Sequence, residues 1–314
     1  MDNKPNVVEE NHYPRIAVLM ATYNGLQWIQ EQLESILKQQ NVDVTLYISD
    51  DGSSDGTDYF LLALSHADPR VVILPKKAST GAAGQNFYRL IRDVNTSGFD
   101  YVAFADQDDI WHKDKLINHI KLLSQYQAAA VSSNVIAFWP DYTERLIVKS
   151  QPQRALDFIF ESAGPGCSFL MTPWLIEMVR EQLIDINSQA RHVELHDWLT
   201  YAICRAHGAS WIIDSSPSLR YRQHHKNVVG ANIGLKGKFI RLIKLHDGRF
   251  RAEVEKIAQV CTLISKDSAF QHIYHLVKGR SIMSNFRLLC VVGAARRAFV
   301  DRLGLTVCIL LHIF

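Results

Sequence analysis

The sequence has 314 residues, of which 47% are hydrophobic and 21% are charged, and this composition is typical of a folded globular protein. It excludes an intrinsically disordered chain, which would carry fewer hydrophobic residues. The 34 basic and 32 acidic side chains leave a net charge of +2, so the overall charge indicates no particular class of partner.

Cysteine usage and the N-terminal sequence indicate where the protein works. Five cysteines are scattered along the chain without a CxxC pair, which argues against a disulfide framework or a zinc site and for reduced thiols. The first residues, MDNKPNVVEENHYP, are polar and lack the apolar core of a signal peptide. We therefore expect a cytoplasmic protein with a polar N-terminal tail at residues 1–14.

Strands and helices are predicted to alternate in the N-terminal part of the chain. The expected elements are a strand at 15–21, a helix capped by Asn24, a strand at 44–49, a helix from Tyr59 to Leu64, a strand at 71–74, a helix carrying Phe87, and a strand at 101–105. This order is typical of an α/β fold in which helices cover both faces of a mostly parallel sheet. Ligands of such sheets bind beyond the carboxyl ends of the strands.

Three polar loops follow predicted strands, and those strand ends meet at one edge of a parallel sheet. The loops read ATYNG, DDGSSDGT and ADQDD. In DDGSSDGT, small residues let a ligand approach the backbone, and Asp50 or Asp51 can accept a base N–H or a ribose hydroxyl. An ordinary turn between a strand and a helix also needs some of these small residues. A ligand site and a structural turn are therefore both open interpretations of this loop.

The third loop lies within FADQDDIW and carries Asp106, Asp108 and Asp109. Neighbouring carboxylates repel one another and raise each other's pKa, so the cluster is costly unless a cation or strong donors lie among them. One interpretation is a turn that caps a helix expected near His112, because Asp is a favoured N-cap residue. The other is a site for a hard divalent cation, which prefers oxygen ligands and often bridges substrate phosphates.

Six motifs together resemble a known family. In chain order they are VLMATYNG, SDDGSSDGT, FADQDDIW, GPGCSFLM, LHDWL and YRQHHKNVVG. The series is similar to family 2 inverting glycosyltransferases with a GT-A fold, and the third and sixth motifs are most similar to bacterial rhamnosyltransferases of surface-polysaccharide assembly. The resemblance implies a GT-A glycosyltransferase domain at residues 15–230, with a Rossmann-like, mostly parallel sheet flanked by helices.

The resemblance also implies roles for individual side chains. The residues expected to bind the nucleotide sugar are Thr22, Tyr23, Asn24, Asp50, Asp51, Asp106, Gln107, Asp109, Gly166 and Arg222. Among them, Asp51 would accept the pyrimidine N–H, and the small side chains around Gly166 would leave room for the sugars. Asp108 and His224 are the expected ligands of a divalent cation, Mn²⁺ or Mg²⁺.

An inverting reaction needs a base, because a sugar hydroxyl attacks poorly until its proton is removed. The resemblance implies that Asp197 of LHDWL takes this role. The family usually carries Glu-Asp at this motif, and His196 replaces the Glu here, so the function of the Glu is not carried over. Asp197 also lies at the start of an expected helix, whose dipole would stabilise its charge. Cys167 is expected to be a small packing residue and not a nucleophile.

The chain changes character after Gly230. Basic and apolar residues are interleaved there, and the apolar run LGLTVCILLHIF at 303–314 is too short to span a bilayer. We expect a helical C-terminal extension at 231–314, and two alternatives stay open. Its helices either lie on a membrane surface or form an aliphatic core against the catalytic domain. Nucleic acid is not an expected partner, because no recognised binding motif accompanies the basic residues.

The sequence thus predicts a metal-dependent inverting glycosyltransferase that transfers L-rhamnose from dTDP-L-rhamnose to a lipid-linked saccharide, peripheral on the cytoplasmic face of the inner membrane. Other donors, such as UDP-glucose or UDP-galactose, are alternatives because the motifs do not fix the shape of the sugar pocket. A sugar nucleotidyltransferase is a further alternative, although no Gly-rich phosphate loop with a following Lys lies near the first strand. A non-catalytic nucleotide-sugar sensor is the last, although the carboxylates expected for base and metal are present.

Overall fold

A seven-stranded sheet lies at the centre of the fold in the computed structural model, which describes residues 13–224 and 248–314. The strands in chain order are β1 (Arg15–Thr22), β2 (Asp43–Asp50), β3 (Val71–Ile73), β4 (Tyr101–Ala105), β5 (Ile110–Trp111), β6 (Ala130–Ser133), β7 (Val135–Phe138), β8 (Glu144–Ile147), β9 (Leu170–Met171), β10 (Trp211–Asp214) and β11 (Leu219–Arg222). The large sheet has the order β10-β6-β9-β4-β1-β2-β3, and a smaller sheet has the order β5-β11-β7-β8. β1 is parallel to β2 and β4, whereas β9 is antiparallel to β4 and β6. The expected mostly parallel sheet is therefore confirmed.

Helices cover both faces of the large sheet. In chain order they are α1 (Ile29–Leu37), α2 (Thr57–Ala67), α3 (Ala83–Asp93), α4 (Lys115–Tyr126), α5 (Asp157–Phe160), α6 (Pro173–Ile184), α7 (His196–Ala206), α8 (Arg249–Ile264), α9 (Ser268–Gly279), α10 (Ile282–Leu289), α11 (Val292–Ala295) and α12 (Phe299–Leu310). Side chains of β1 alternate between two hydrophobic clusters, because successive residues of a strand face opposite sides. Leu19 joins the cluster that contains α3, α6 and α7, and Met20 joins the one that contains α1 and α4.

The predicted alternation of strands and helices is confirmed, but the role expected of Asn24 is wrong. Helix α1 begins at Ile29, and Asn24 does not cap it. The Asn24 backbone is left-handed, with a φ of 48°, and its Oδ1 accepts a hydrogen bond from Ser54 N at 2.8 Å. Asn adopts this conformation more readily than most residues. Its side chain therefore joins two loops and starts no helix.

The helix expected near His112 is α4, which begins at Lys115. Between the acidic loop and α4, strand β5 pairs with β11 in the small sheet. A strand thus separates the carboxylates at 106–109 from the helix, and the N-cap position of α4 is occupied by Asp114. The helix-capping interpretation of the acidic loop is therefore wrong.

Helices α8 to α12 pack against the part of the fold that carries α5 and α7. The Trp198 ring of α7 stacks on Phe250 of α8, with centroids 5.9 Å apart. Asp157 of α5 is fully buried, and its carboxylate lies 3.2 Å from the Arg297 guanidinium. The buried apolar residues of these helices belong to the same cluster as those of α7. The alternative of a core against the catalytic domain is therefore confirmed for the buried side of residues 249–314.

Some expectations fall outside the described residues. They concern residues 1–12 of the polar tail, the motif residues 225–230, and the basic segment 231–247. Within the two described ranges, no helix combines the length and the hydropathy needed to cross a bilayer.

Candidate active site

The acidic loop follows directly from β4, and hydrogen bonds from α1 and β11 hold it in place. Gln32 of α1 donates from Nε2 to Asp106 O at 2.9 Å, and Arg222 of β11 donates from Nε to Asp108 O at 2.7 Å. Arg222 N also donates to Asp109 Oδ1 at 3.1 Å. The loop is thus fixed between the two sheets, and this fixes the position of its carboxylates.

Burial and mutual repulsion raise the pKa of two carboxyl groups in this loop. The pKa of Asp106 is raised to about 7, mainly by burial and then by the charges of Asp108 and Asp197. Burial, with the charges of Asp108 and Asp106, raises the pKa of Asp109 well above its usual range. A carboxyl oxygen of each and the Cys167 sulfur lie within 4.8 Å of one another. This clustering of desolvated carboxyl groups is typical of functional sites.

Sequence reasoning missed Lys115, a buried lysine beside this cluster. Its Nζ donates to Cys167 O at 2.6 Å and lies 3.2 Å from the centre of the Trp111 ring. Burial lowers the pKa of Lys115 to about 7, while the charges of Asp109 and Asp106 act in the opposite direction. Lys115 therefore supplies a buried basic group next to the acidic loop.

The sequence contained one signal for this lysine. Lys115, His119 and Leu123 are spaced four residues apart, and all three lie on the buried face of α4. Burial, followed by the charge of Lys115, lowers the pKa of His119 to about 3, so its ring is neutral at pH 7. A lysine at a core position of a helix needs polar partners, because an unpaired buried charge is costly.

The two expected metal ligands lie in direct contact. His224 Nε2 and Asp108 Oδ2 are 2.7 Å apart, and both side chains are nearly buried. The His224 ring stacks on Trp28, with centroids 3.8 Å apart and an interplanar angle of 10°. Arg222, two residues earlier, forms an ion pair with Glu31 of α1. The structure therefore brings this pair together, and its role as a metal site stays a prediction.

The loops after β1 and β2 are joined around Asp50. Asp50 Oδ1 accepts hydrogen bonds from Thr22 Oγ1 at 3.0 Å and from Ser53 Oγ at 2.5 Å. Asn24 N donates to the same Ser53 Oγ at 2.8 Å. Three of the residues expected to line the nucleotide pocket thus form one connected network. Their contact with a nucleotide stays a prediction.

Two further expected residues hold backbone segments with their side chains. Asp51 is buried, and its carboxylate accepts from Thr80 N at 2.5 Å and from Gly81 N at 3.0 Å. The Gln107 amide accepts from Tyr23 N at 2.8 Å and donates to Tyr23 O at 2.9 Å. The two Gln107 bonds connect the acidic loop to the loop after β1, and the Asp51 bonds connect the loop after β2 to residues 80–81. The expected nucleotide-binding residues are therefore held by one another as well as by the sheet.

Asp197 lies in the first turn of α7, next to the acidic loop. Its Oδ1 accepts from Trp198 N at 2.6 Å, and burial raises its pKa to about 6. A Cβ built on Gly166 would lie 3.3 Å from Asp197 Cβ and 2.6 Å from His196 Nε2, so only glycine fits there without a shift. The charge of Asp197 also raises the pKa of Asp106. The expected base and the acidic loop therefore act on each other electrostatically.

His196 is a packing residue in this structure. Its ring stacks on Phe87 of α3 at 3.7 Å and meets Phe104 of β4 edge-on at 5.1 Å. Burial lowers its pKa to about 3, and its buried Nε2 has no hydrogen-bond partner. The ring is therefore neutral at pH 7, and a carboxylate in the family's usual motif is replaced here by an uncharged group in the core.

Similarity to known proteins identifies the family. Residues 17–169, which include the acidic loop, match the family described as Glycosyl transferase family 2. dTDP-rhamnosyl transferase RfbG of Shigella flexneri is 40% identical over 296 residues, which cover 94% of this chain and 100% of that protein. The chain belongs to glycosyl transferase family 2. As a family 2 glycosyltransferase it is an enzyme, and the resemblance inferred from the six motifs is confirmed.

Three further proteins show how this family 2 glycosyltransferase compares with more distant relatives and with solved structures. The putative teichuronic acid biosynthesis glycosyltransferase TuaG of Bacillus subtilis (strain 168) is 31% identical over 119 residues, which cover 38% of this chain and 46% of that protein. S. aureus TarS 1-349 in complex with UDP-GlcNAc has a TM-score of 0.53 at 13% identity, covering 86% of this chain and 81% of that chain. Mannosyltransferase PcManGT from Pyrobaculum calidifontis, in complex with GDP-Man and Mn²⁺, has a TM-score of 0.50 at 17% identity, and the match covers 96% of this chain and 86% of that chain. The likeness to these glycosyltransferases confirms the GT-A fold.

Proposed function

We propose that this enzyme transfers L-rhamnose from dTDP-L-rhamnose to a hydroxyl of a saccharide, with inversion at the anomeric carbon, in the synthesis of a cell-surface polysaccharide. Similarity to the Shigella flexneri dTDP-rhamnosyl transferase over the whole length of that protein supports the donor. The proposal rests on one observation above all. The half-buried carboxyl group of Asp197, whose pKa is raised, acts electrostatically on the acidic loop beyond β4.

Asp197 is the proposed base that takes the proton from the attacking hydroxyl. A pKa of about 6 leaves the carboxyl group mostly ionised at neutral pH and makes it a stronger base than an exposed Asp. The hydrogen bond from Trp198 N holds one carboxylate oxygen, which orients the group. Because Gly166 has no side chain, its backbone packs directly against His196 and Asp197, and this close packing also fixes the position of the proposed base.

Asp108 and His224 would hold a divalent cation, with Asp106 and Asp109 as neighbouring oxygen donors. Carboxylate oxygens dominate this set, which suits Mn²⁺ or Mg²⁺. Cys167 does not belong to it, because sulfur is a soft ligand and these hard cations prefer oxygen. A cation would offset the repulsion that raises the pKa of Asp106 and Asp109. When bound, it would stabilise the departing diphosphate.

The network around Asp50 and Asp51 is the proposed nucleotide site. Both oxygens of Asp50 already accept two hydrogen bonds each. Asp51 Oδ2 also accepts two, whereas Asp51 Oδ1 accepts one, from Thr80 N, and therefore keeps a lone pair for a base N–H. Thr22, Tyr23 and Asn24 lie in the same connected loops. Arg222, Gln107 and Gly166 keep their proposed contacts with the donor, although the first two also hold the acidic loop in place.

Thermal denaturation with a panel of donors tests donor and cation together. Full-length protein is mixed with dTDP-L-rhamnose, UDP-glucose or UDP-galactose, each with Mn²⁺, Mg²⁺ or EDTA. A ligand that binds the folded state raises the apparent stability, so we expect the largest increase in Tm from dTDP-L-rhamnose with a cation. A larger increase from a UDP-sugar would contradict the proposed donor, and the same increase in EDTA would contradict the cation.

The proposed acceptor is a lipid-linked saccharide, and the proposed place of action is the cytoplasmic face of the inner membrane. A lipid-linked acceptor stays in the bilayer, so an enzyme that rests on the membrane meets it more often than one in solution. The basic and apolar composition of the C-terminal residues supports this location.

A further inference from the structure

Helix α12 is apolar on two opposite sides. Leu305, Cys308 and Ile309 face the core and are nearly fully buried. Its exposed large apolar residues, with Leu311 directly after it, are Phe299, Val300, Leu303, Val307, Leu310 and Leu311. At 100° per residue these six fall within an arc of about 120° on the helix. A helix with apolar side chains on two opposite sides is expected to be covered on both of them. Among the described residues, the core covers only one side of α12.

Helix α10 adds a second apolar stripe next to the first. Ile282, Met283 and Phe286 are exposed by 57% to 65%, whereas Asn285 and Leu288 are buried. The three exposed residues fall within an arc of about 100°. α10 and α12 pack against each other, so the two stripes lie on neighbouring helices. We call these nine exposed side chains, six from α12 and its end and three from α10, the tail surface.

Charged residues around the tail surface are almost all basic. From 278 to 314 the sequence contains six basic residues and one acidic residue, Asp301. Arg297 is buried in an ion pair with Asp157 and does not contribute to the surface, and Arg280 lies 3.9 Å from Glu255 of α8. The Asp301 carboxylate lies 3.7 Å from the Arg296 guanidinium. Lys278, Arg280 and Arg287 are exposed near the stripe on α10. This side of the protein therefore combines exposed apolar side chains with positive charge.

We propose that the tail surface docks on an anionic lipid bilayer, with the apolar stripes in the boundary between headgroups and acyl chains and the basic residues on the headgroups. α12 has 12 residues and is about 18 Å long, so it lies along the membrane and does not cross it. A second copy of this chain fits less well, because two tail surfaces would bring like charges together. This inference rests on the proposed function only for the lipid-linked acceptor.

The helices that carry the tail surface are packed firmly on the helix that carries the proposed base. Phe314, which follows α12, meets Phe250 edge-on at 5.8 Å, and Phe250 stacks on Trp198 at 5.9 Å. Trp198 is the residue next to Asp197. Two ring contacts thus connect the end of α12 to the start of α7.

Vesicle sedimentation of the full-length protein tests the proposal. The protein is mixed with phosphatidylcholine vesicles with and without phosphatidylglycerol, at low and high salt. The test variant is Phe299→Ser/Leu303→Ser on α12. Its control is Ile184→Ser/Ile186→Ser, because these two side chains are also highly exposed and lie at the last residue of α6 and two residues beyond it. A further variant, Lys278→Glu/Arg287→Glu, removes the positive charge near α10.

We expect the wild type and the α6 control to sediment with anionic vesicles, with partial release at high salt. The Phe299→Ser/Leu303→Ser variant should bind at least about tenfold more weakly, since each large apolar group contributes to burial in the bilayer. The charge variant should lose the preference for phosphatidylglycerol. Equal sedimentation of the α12 variant and its control would overturn the proposal.

Two further measurements separate the possible causes. If light scattering shows a wild-type dimer that the α12 variant converts to a monomer, and neither binds vesicles, the surface is an interface between copies and the proposal is wrong. The Tm increase with dTDP-L-rhamnose should be the same in wild type and variant. Absence of that increase in both, with vesicle binding intact, would contradict the proposed donor and leave the docking surface supported.

Discussion

Asp108 and His224 are 116 positions apart in the sequence, and their side chains meet at 2.7 Å. Asp108 comes from the loop after β4, and His224 follows β11 of the smaller sheet. The contact therefore closes the acidic loop against the second sheet. The contact also places the imidazole of His224 directly beside the second carboxylate of the D-x-D motif formed by Asp106 and Asp108.

Replacing Asp108 by Ala should abolish the dependence on Mn²⁺ or Mg²⁺ together with nearly all transfer. The diphosphate of the donor would then lose its charge partner, and His224 would lose its carboxylate neighbour. Transfer of the labelled sugar is measured over a series of cation concentrations. Asp114→Ala is the control, because Asp114 is an exposed acid at the N-cap of α4 outside the cluster. Full activity of the Asp108 variant in excess EDTA would contradict the assigned metal site.

Replacing Asp197 by Asn should lower turnover by about 10²- to 10⁴-fold, the range typical of a lost general base, while donor binding persists. Asn keeps the shape but cannot take a proton. In the wild type the base must be ionised, and its pKa is about 6, so the rate should fall as the pH drops below about 6 and level off above it. The variant should lack this step in its pH profile.

The stability of the Asp197→Asn variant provides the control. A carboxyl group whose pKa is raised in the folded state contributes a loss of stability that develops as the pH rises from the ordinary value of 3.8 to about 6 and is complete above about pH 6. The substituted amide carries no charge, and urea unfolding at neutral pH should show a variant as stable as the wild type or more stable. Unchanged turnover in a folded variant would assign the proton to another residue.

Replacing Lys115 by Met should lower the free energy of unfolding by about 1–3 kcal/mol, because it leaves the buried Cys167 carbonyl without its hydrogen-bond donor. Met fills a similar volume, so a cavity is not the cause. Lys113→Met is the control, since Lys113 is exposed two residues earlier. Urea unfolding measures both variants. A loss in the Lys115 variant no larger than in the control would mean that the hydrogen bond from Lys115 does not stabilise the fold.

Replacing Gly84 by Ala should lower turnover by about 10²-fold, as expected for a displaced catalytic group. A Cβ at this position of α3 would lie 2.1 Å from Glu194 O, so the backbone before α7 must move and shift Asp197 with it. In Gly98→Ala the added Cβ meets nothing within 4 Å, which makes it the matched control. Steady-state kinetics with saturating donor compares them. Equal turnover in the two variants would show that the segment before α7 moves without cost.

Local patterns predicted most of the fold. The run IAVLMA in β1 is buried on both faces, as the apolar run indicated. The loops that follow β1, β2 and β4 lie at one edge of the sheet because parallel strands end on the same side, so their polar side chains could be assigned to one site from the sequence. The order of strands was less accessible, since the antiparallel β9 lies between β4 and β6 and pairs through two residues of each.

Side chains whose role depends on distant partners could not be predicted in the same way. His196 belongs to a motif expected at the active site, yet its ring packs on Phe87, more than a hundred positions earlier in the chain. In the sequence, Lys115 is an ordinary polar residue at the start of a helix. Its role follows only from its contacts with the Trp111 ring and the Cys167 carbonyl. Composition left two alternatives for the C-terminal helices. The structure confirms that one side of α12 packs in the common core, and membrane association stays a prediction.

The packing of α8 to α12 on α7 has a consequence for synthesis on the ribosome. Strands β1 to β4 and the acidic loop leave the exit tunnel early, but Trp198 and Asp157 find Phe250 and Arg297 only after most of the remaining residues have been translated. Until then the nascent chain exposes aromatic side chains that the native state buries. The packing of α7 is therefore completed only after α8 and the residues up to Arg297 have been translated.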